Sequence, residues 1–188
     1  MEEETKKEKE ITMEETDERE IKNKREFAVQ TIDILRPHFM FNVLNQIKYQ
    51  IKRNPEMAEE MVYDLANFCR GSLTVASMEE EAVLDEEIRA FKSYLRLECA
   101  MNKNMELELD LTNERGGRHM IVSPGSLQEF GAMLVKEEVR TTKEKRTLVV
   151  TDGLKEDQYY IHVEIKETGQ VLVHPVLDIE VDTTFGEA

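Results

Sequence analysis

Arg36-Pro37-His38-Phe39-Met40-Phe41-Asn42-Val43-Leu44-Asn45 sets a proline and an imidazole inside a long helical pattern. Around it, Ala28, Ile32, Leu35, Phe39, Val43, Ile47 and Ile51 step by three or four, one apolar face of a helix that ends at Asn54-Pro55. Within such a helix Pro37 deletes a backbone hydrogen bond and crowds the preceding turn, at a cost of about 3 kcal/mol that something should compensate. His38 follows at once, and Asn42 lies one turn further on the same face. Imidazole is a good nucleophile near neutral pH, with one nitrogen free to accept while the other donates. A carboxamide four residues on can hold its orientation. On these residues alone a kinked helix with an exposed or hydrogen-bonded histidine is the favoured reading.

Working outward, a second helix is expected at about 56–76, with Ala58, Met61, Val62, Leu65, Phe68, Cys69 and Ser72 on its apolar face. The short break at Asn54-Pro55 makes the two helices antiparallel neighbours, and Gly71 weakens the end of the second. A third helix at about 85–101 carries Ile88, Phe91, Leu95 and Cys99. Two helices cannot bury both of their faces, so the hairpin is expected to pair with a second copy as a dimeric four-helix bundle. After Met101 the period changes: Met105, Leu107, Leu109 and Leu111 alternate with acids, as a half-buried strand does. A turn at Gly116-Gly117, a short strand at 119–123, a helix at 125–139 opened by Pro124, and strands at 148–150, 159–165 and 170–182 (broken at Pro175) complete an α+β chain. Three segments result: a charged helical or disordered lead-in at 1–26, dimerising helices at 27–101, and a small α/β sandwich at 102–188.

Composition narrows the function. In 188 residues, 25 Lys plus Arg face 40 Asp plus Glu, a net charge of −15. Phosphate repels such a chain, so nucleic acid is not an expected partner, and neither is an anionic membrane surface. No apolar run reaches the roughly 18–20 residues of a membrane helix, and Met1-Glu2-Glu3-Glu4 opens no signal peptide. Two distant cysteines, Cys69 and Cys99, support neither a disulfide framework nor a zinc site and point to a cytoplasmic setting. Met1 favours a stand-alone chain over a fragment. His119, His162 and His174 are scattered, and no metal site is expected. No GxxxxGK[ST], HExxH or GxSxG motif occurs, and Met78-Glu79-Glu80-Glu81 reads as a solvated loop.

The segment from Leu35 to Ile47 resembles the phosphoacceptor box of LytS-type sensor histidine kinases, N-P-H-F-[LM]-F-N-x-L-N, departing only at Arg36. Asp64 to Leu73 is similar to the family's L-S-x-L-L-R-Y-S-L, and Leu84-Asp85-Glu86-Glu87 with Tyr94-Leu95 resembles its L-x-x-E and Y-L segment. The resemblance implies that His38 takes a phosphoryl group, with Asn42 orienting it, and passes it to an aspartate of a response regulator. Such transfer rests on positioning and charge neutralisation; Arg36 and Lys48 are the nearest cations, and neither follows from the family pattern.

The second half departs from the family's ATP-binding domain. Against P-x-x-L-Q-P-L-V-E-N-A-[IV]-x-H, the segment Pro124 to Glu137 keeps Leu127-Gln128 but has Ala132 for the Glu and Met133 for the magnesium-binding Asn. Magnesium wants oxygen ligands, which an alanine methyl and a thioether do not supply. Against V-x-D-N-G-x-G, Glu167 stands for the adenine-reading Asp, Gly169 is kept, and Val171 replaces a Gly. The Gly-rich lid has no counterpart, and 176–181 alternates like another strand. The expectation is a persisting fold with nucleotide binding lost and no cofactor held: a homodimeric phosphotransfer relay working with a response regulator and a competent kinase. Two alternatives remain, an active kinase that uses Mg-ATP, and a non-catalytic dimer that binds a regulator or kinase.

Overall fold

The computed structural model describes residues 37–76, 82–111, 120–155 and 158–176. Helix α1 (Pro37–Gln50) and helix α2 (Pro55–Ala76) form a hairpin. Pro55 opens α2, where its missing N–H costs nothing, and the Asn54 side chain accepts the Met57 N–H at 3.1 Å as an N-cap. A two-residue strand β1 (Ala82–Val83) leads into helix α3 (Leu84–Met101). Then follow β2 (Met105–Asp110), β3 (Ile121–Val122), helix α4 (Ser126–Leu134), and strands β4 (Arg146–Lys155), β5 (Gln158–Ile165) and β6 (Gln170–Val176).

β1 pairs with β3 antiparallel, and the main sheet runs β2-β4-β5-β6, with β2 parallel to β4 and the other pairs antiparallel. The period-2 pattern sorts the faces. Leu148, Val150, Ile161, Val163 and Ile165 are buried, while Glu106, Glu108, His162 and Glu164 point to solvent. The fold is mixed α and β, as its sequence pattern implies. One apolar core runs without interruption from Phe39 on α1 to Val176 on β6. Aromatic rings mark its course: Phe39, Phe68 and Tyr94 lie 5.2–5.7 Å apart, Phe91 stacks on Phe130 at 6.1 Å, and Phe130 on His174 at 4.4 Å.

Several particulars differ from the sequence expectations. The apolar face of α1 (Phe39, Val43, Ile47) is covered within the chain, by α2 and α3. Ile51 and Val62, expected on buried faces, are 57 % and 52 % exposed, because Ile51 falls in the interhelical turn and Val62 one step off the α2 stripe. Gly71 marks a close helix crossing: a Cβ there would lie 2.5 Å from the Ala90 Cβ and 3.2 Å from Gln128 Nε2. The helix expected at 125–139 is α-helical to Leu134 and then widens into a π-turn at Val135–Val139, closed by the Arg140 N–H on the Val135 carbonyl at 3.0 Å. Pro175 does not break β6, which pairs Pro175 with Tyr160 and is the outermost described strand, where a missing donor is tolerated. The expectations for 1–36, for 78–81, for the Gly116-Gly117 turn, for His119 and for 177–182 lie outside the described residues. Among the described residues no helix is long and apolar enough to cross a membrane.

Candidate functional site: the histidine corner of the helical hairpin

His38 occupies the first turn of α1. Its neighbour Phe39 is drawn inward against Phe68 and Tyr94, and at 100° per residue this turns His38 outward; the ring is exposed. Asn42, one turn on and also exposed, brings its Nδ2 to 3.2 Å from His38 Nδ1. The carboxamide has two settings. With the NH2 facing the ring, Nδ1 accepts and the ring proton sits on Nε2. Turned by half a rotation, Oδ1 accepts from Nδ1–H and leaves the Nε2 lone pair free to attack. Arg36 lies outside the described residues. Lys48 sits ten residues beyond His38, roughly 15 Å along the axis at 1.5 Å per residue, too far to neutralise charge at the imidazole.

The second group of residues is spread over α4 and the β5–β6 turn. Ala132 is half-buried, and Met133 is 46 % exposed. Glu167 sits in the turn 166–169 that joins β5 directly to β6, and Gly169 takes φ +67, a left-handed conformation that favours glycine. The Glu167 carboxylate accepts the Thr147 N–H and Thr147 Oγ1–H, both at 2.7 Å, and these bonds hold its carboxyl below the usual range. Its acid therefore ties the turn to the start of β4. The α4 end and the turn are linked elsewhere, by Gln170 Nε2 donating to Glu138 Oε1 at 3.2 Å. His162 is exposed on the outer sheet face, whereas His174 is half-buried against Phe130, and burial lowers its pKa. Among the described residues no three His, Cys, Asp or Glu side chains cluster as metal ligands do.

Sequence reasoning missed a set of buried polar residues. Asp64 on α2 accepts from Ser93 Oγ at 2.9 Å with Arg96 at 3.7 Å, and burial raises its carboxyl. Glu98 on α3 accepts from Tyr94 Oη at 3.1 Å and pairs with Arg140 at 2.5 Å; burial raises its carboxyl too, against the pull of Arg140. Ser72, Glu87 and Gln128 meet where α2, α3 and α4 converge. The visible signals were the place of Ser72 on the apolar stripe, the resemblance segments that hold Asp64 and Glu87, and the retained Leu127-Gln128 pair.

Residues 33–105 match the family model described as Histidine kinase, and this segment of the chain is a histidine-kinase family region of the LytS type. The chain is similar to the Sensor histidine kinase/phosphatase LytS of Staphylococcus aureus strains MRSA252, Mu50 and NCTC 8325, in each case 27 % identical over 134 residues that make up 71 % of this chain. The matched stretch is 22 % of those proteins' length, so the chain corresponds to about a fifth of each relative.

Proposed function

We propose that this two-component, sensor-kinase-like protein acts as a phosphohistidine relay through His38, without using ATP itself. The observation that carries the reading is the His38 corner: an exposed imidazole whose Nδ1 faces the Asn42 carboxamide at 3.2 Å, on a helix anchored by the buried Phe39 directly beside it. The family match at 33–105 supports the same residue. In the forward step the Nε2 lone pair of His38 attacks the phosphorus of a donor kinase's phosphohistidine. A new N–P bond forms, the donor's N–P bond breaks, and the departing imidazole takes up the proton that His38 gives up. In the onward step a carboxylate oxygen of the response regulator attacks phosphorus, and His38 leaves and is reprotonated.

The loss of nucleotide use is supported by the thioether of Met133 and the methyl of Ala132, which offer magnesium no oxygen, and by Glu167, whose acceptor capacity goes to Thr147. Dimerisation through the hairpin is supported by Phe41, Leu44 and Ile51, three apolar residues at i, i+3 and i+10 on one exposed side of α1 and its turn, 63 %, 49 % and 57 % exposed. The bundle face is thus a different stripe from the one that the chain covers with its own α3.

The test mixes purified protein with labelled ATP alone, and then with a competent kinase and a response regulator. The relay reading expects label on His38 only when the partners are present. Label from ATP alone would select an active kinase, and regulator binding without any label would select a non-catalytic dimer.

A further inference from the structure

Ser72 on α2, Glu87 on α3 and Gln128 on α4 are 0 %, 2 % and 1 % exposed and form a polar seam where the three helices meet. Ser72 Oγ lies 3.0 Å from Gln128 Oε1 and 2.9 Å from the Phe68 carbonyl, either of which accepts its proton. Glu87 Oε1 accepts the Gly125 N–H at 2.8 Å. Gly125, the residue before α4, has φ 82 and no side chain to cap the helix, so a carboxyl group from α3 serves as the cap that α4 lacks. The other Glu87 oxygen, Oε2, and the Gln128 nitrogen, Nε2, are buried and have no well-formed hydrogen bond among the described residues.

We infer that Glu87 is a proton-controlled fastener for α4: neutral, it seats the start of that helix against α3 and the hairpin, and ionised, it loosens the seat. The geometry supplies both halves of the argument. The N–H at Gly125 needs an acceptor, which either form of the carboxyl provides. The charge on Oε2, in contrast, is buried and has no well-formed hydrogen bond among the described residues to spread into. Among the charged groups of the described residues only Glu86, on its own helix, acts on it, and that effect favours the neutral form. From α4 the N–H groups of Gly125 and Leu127 favour the charged form, as does the Gln128 side chain; α2 presents the uncharged Ser72. Burial outweighs them and pushes the carboxyl from 4.5 up to about 7. The folded chain therefore holds a proton that the unfolded chain has released. This contribution to stability is complete below 4.5 and is lost as the pH rises through about 7.

The fastener acts on the helix that carries Ala132, Met133 and the Phe130–His174 stack, and it does not depend on the reading of His38. Urea unfolding of the full chain and of Glu87→Gln between pH 5.5 and 8.5 tests it. The ratio of wild-type to variant folding constants is expected to fall roughly 30-fold across that range; a constant ratio would overturn the inference. Because the ratio is taken at each pH, the titration of His174 cancels. A carbon NMR titration of the Glu87 carboxyl in the wild-type chain needs no variant: a midpoint near 7 supports the fastener, and one near 4.5 overturns it.

Discussion

The His38 corner and the β5–β6 turn hold their key polar groups in opposite ways. His38 is exposed, and its Nδ1 faces the Asn42 side chain four residues away. Glu167, which the sequence reading sets against a nucleotide-reading acid of the resembled family, has both its oxygens bonded to Thr147. A group that must react has to stay open while its neighbours are fixed, and Phe39, buried beside His38, does the fixing. A group whose acceptors are filled inside the chain has become part of the fold. On the proposed reading, the hairpin therefore keeps chemistry where the β5–β6 turn keeps only architecture.

The largest expected effect is at the open end. His38→Gln should abolish phosphoryl transfer, a loss of at least about a hundredfold, while thermal unfolding stays within about 0.5 kcal/mol of wild type because the ring is exposed. Retained transfer would move the acceptor elsewhere. Next, Phe41→Asp should dissociate the proposed dimer, read by sedimentation at micromolar concentration, without unfolding the chain; a variant that stays dimeric would remove the exposed α1 stripe from the interface. Gly71→Ala probes the architecture. Its new Cβ would collide with the Ala90 Cβ at 2.5 Å, and urea unfolding should show a loss of about 1–3 kcal/mol, even though alanine favours helix. An unchanged midpoint would mean that α2 and α3 are free to part. The smallest effect is at His174, whose pKa burial lowers from 6.5. Its folded pKa lies below its unfolded one, so its contribution is present above 6.5 and is lost as the pH falls below that value. His174→Phe should flatten that acid limb of the stability profile, while an unaltered limb would assign it to another group.

How much of this could be read in the chain depends on distance along it. The apolar face of α1 and the alternation of β5 are local periodicities, and both are where the residues put them. Periodicity says that Phe39, Val43 and Ile47 are covered, but not by what. Counting two helices assigns the cover to a second copy, whereas α3 covers this face within the chain and leaves the proposed dimer to a different stripe. Gly71 looks like a weak helix former because Ala90, the residue that demands it, lies far along the chain. Glu87 is one of 40 acids; the L-x-x-E resemblance marks its position, but only the packing of α3 against α4 shows that it is buried. The imidazole and carboxamide of the candidate site were legible, since His38 and Asn42 are spaced by a single helical turn. The fate of Glu167 was not, because its partner Thr147 is on another strand.

The account turns on a division of labour, with reactive chemistry kept on the hairpin and nucleotide binding given up by α4 and the β5–β6 turn. Isothermal calorimetry with Mg-ATP on the full chain measures this most directly. No binding heat at millimolar nucleotide is predicted, and saturable binding with a micromolar Kd would contradict it.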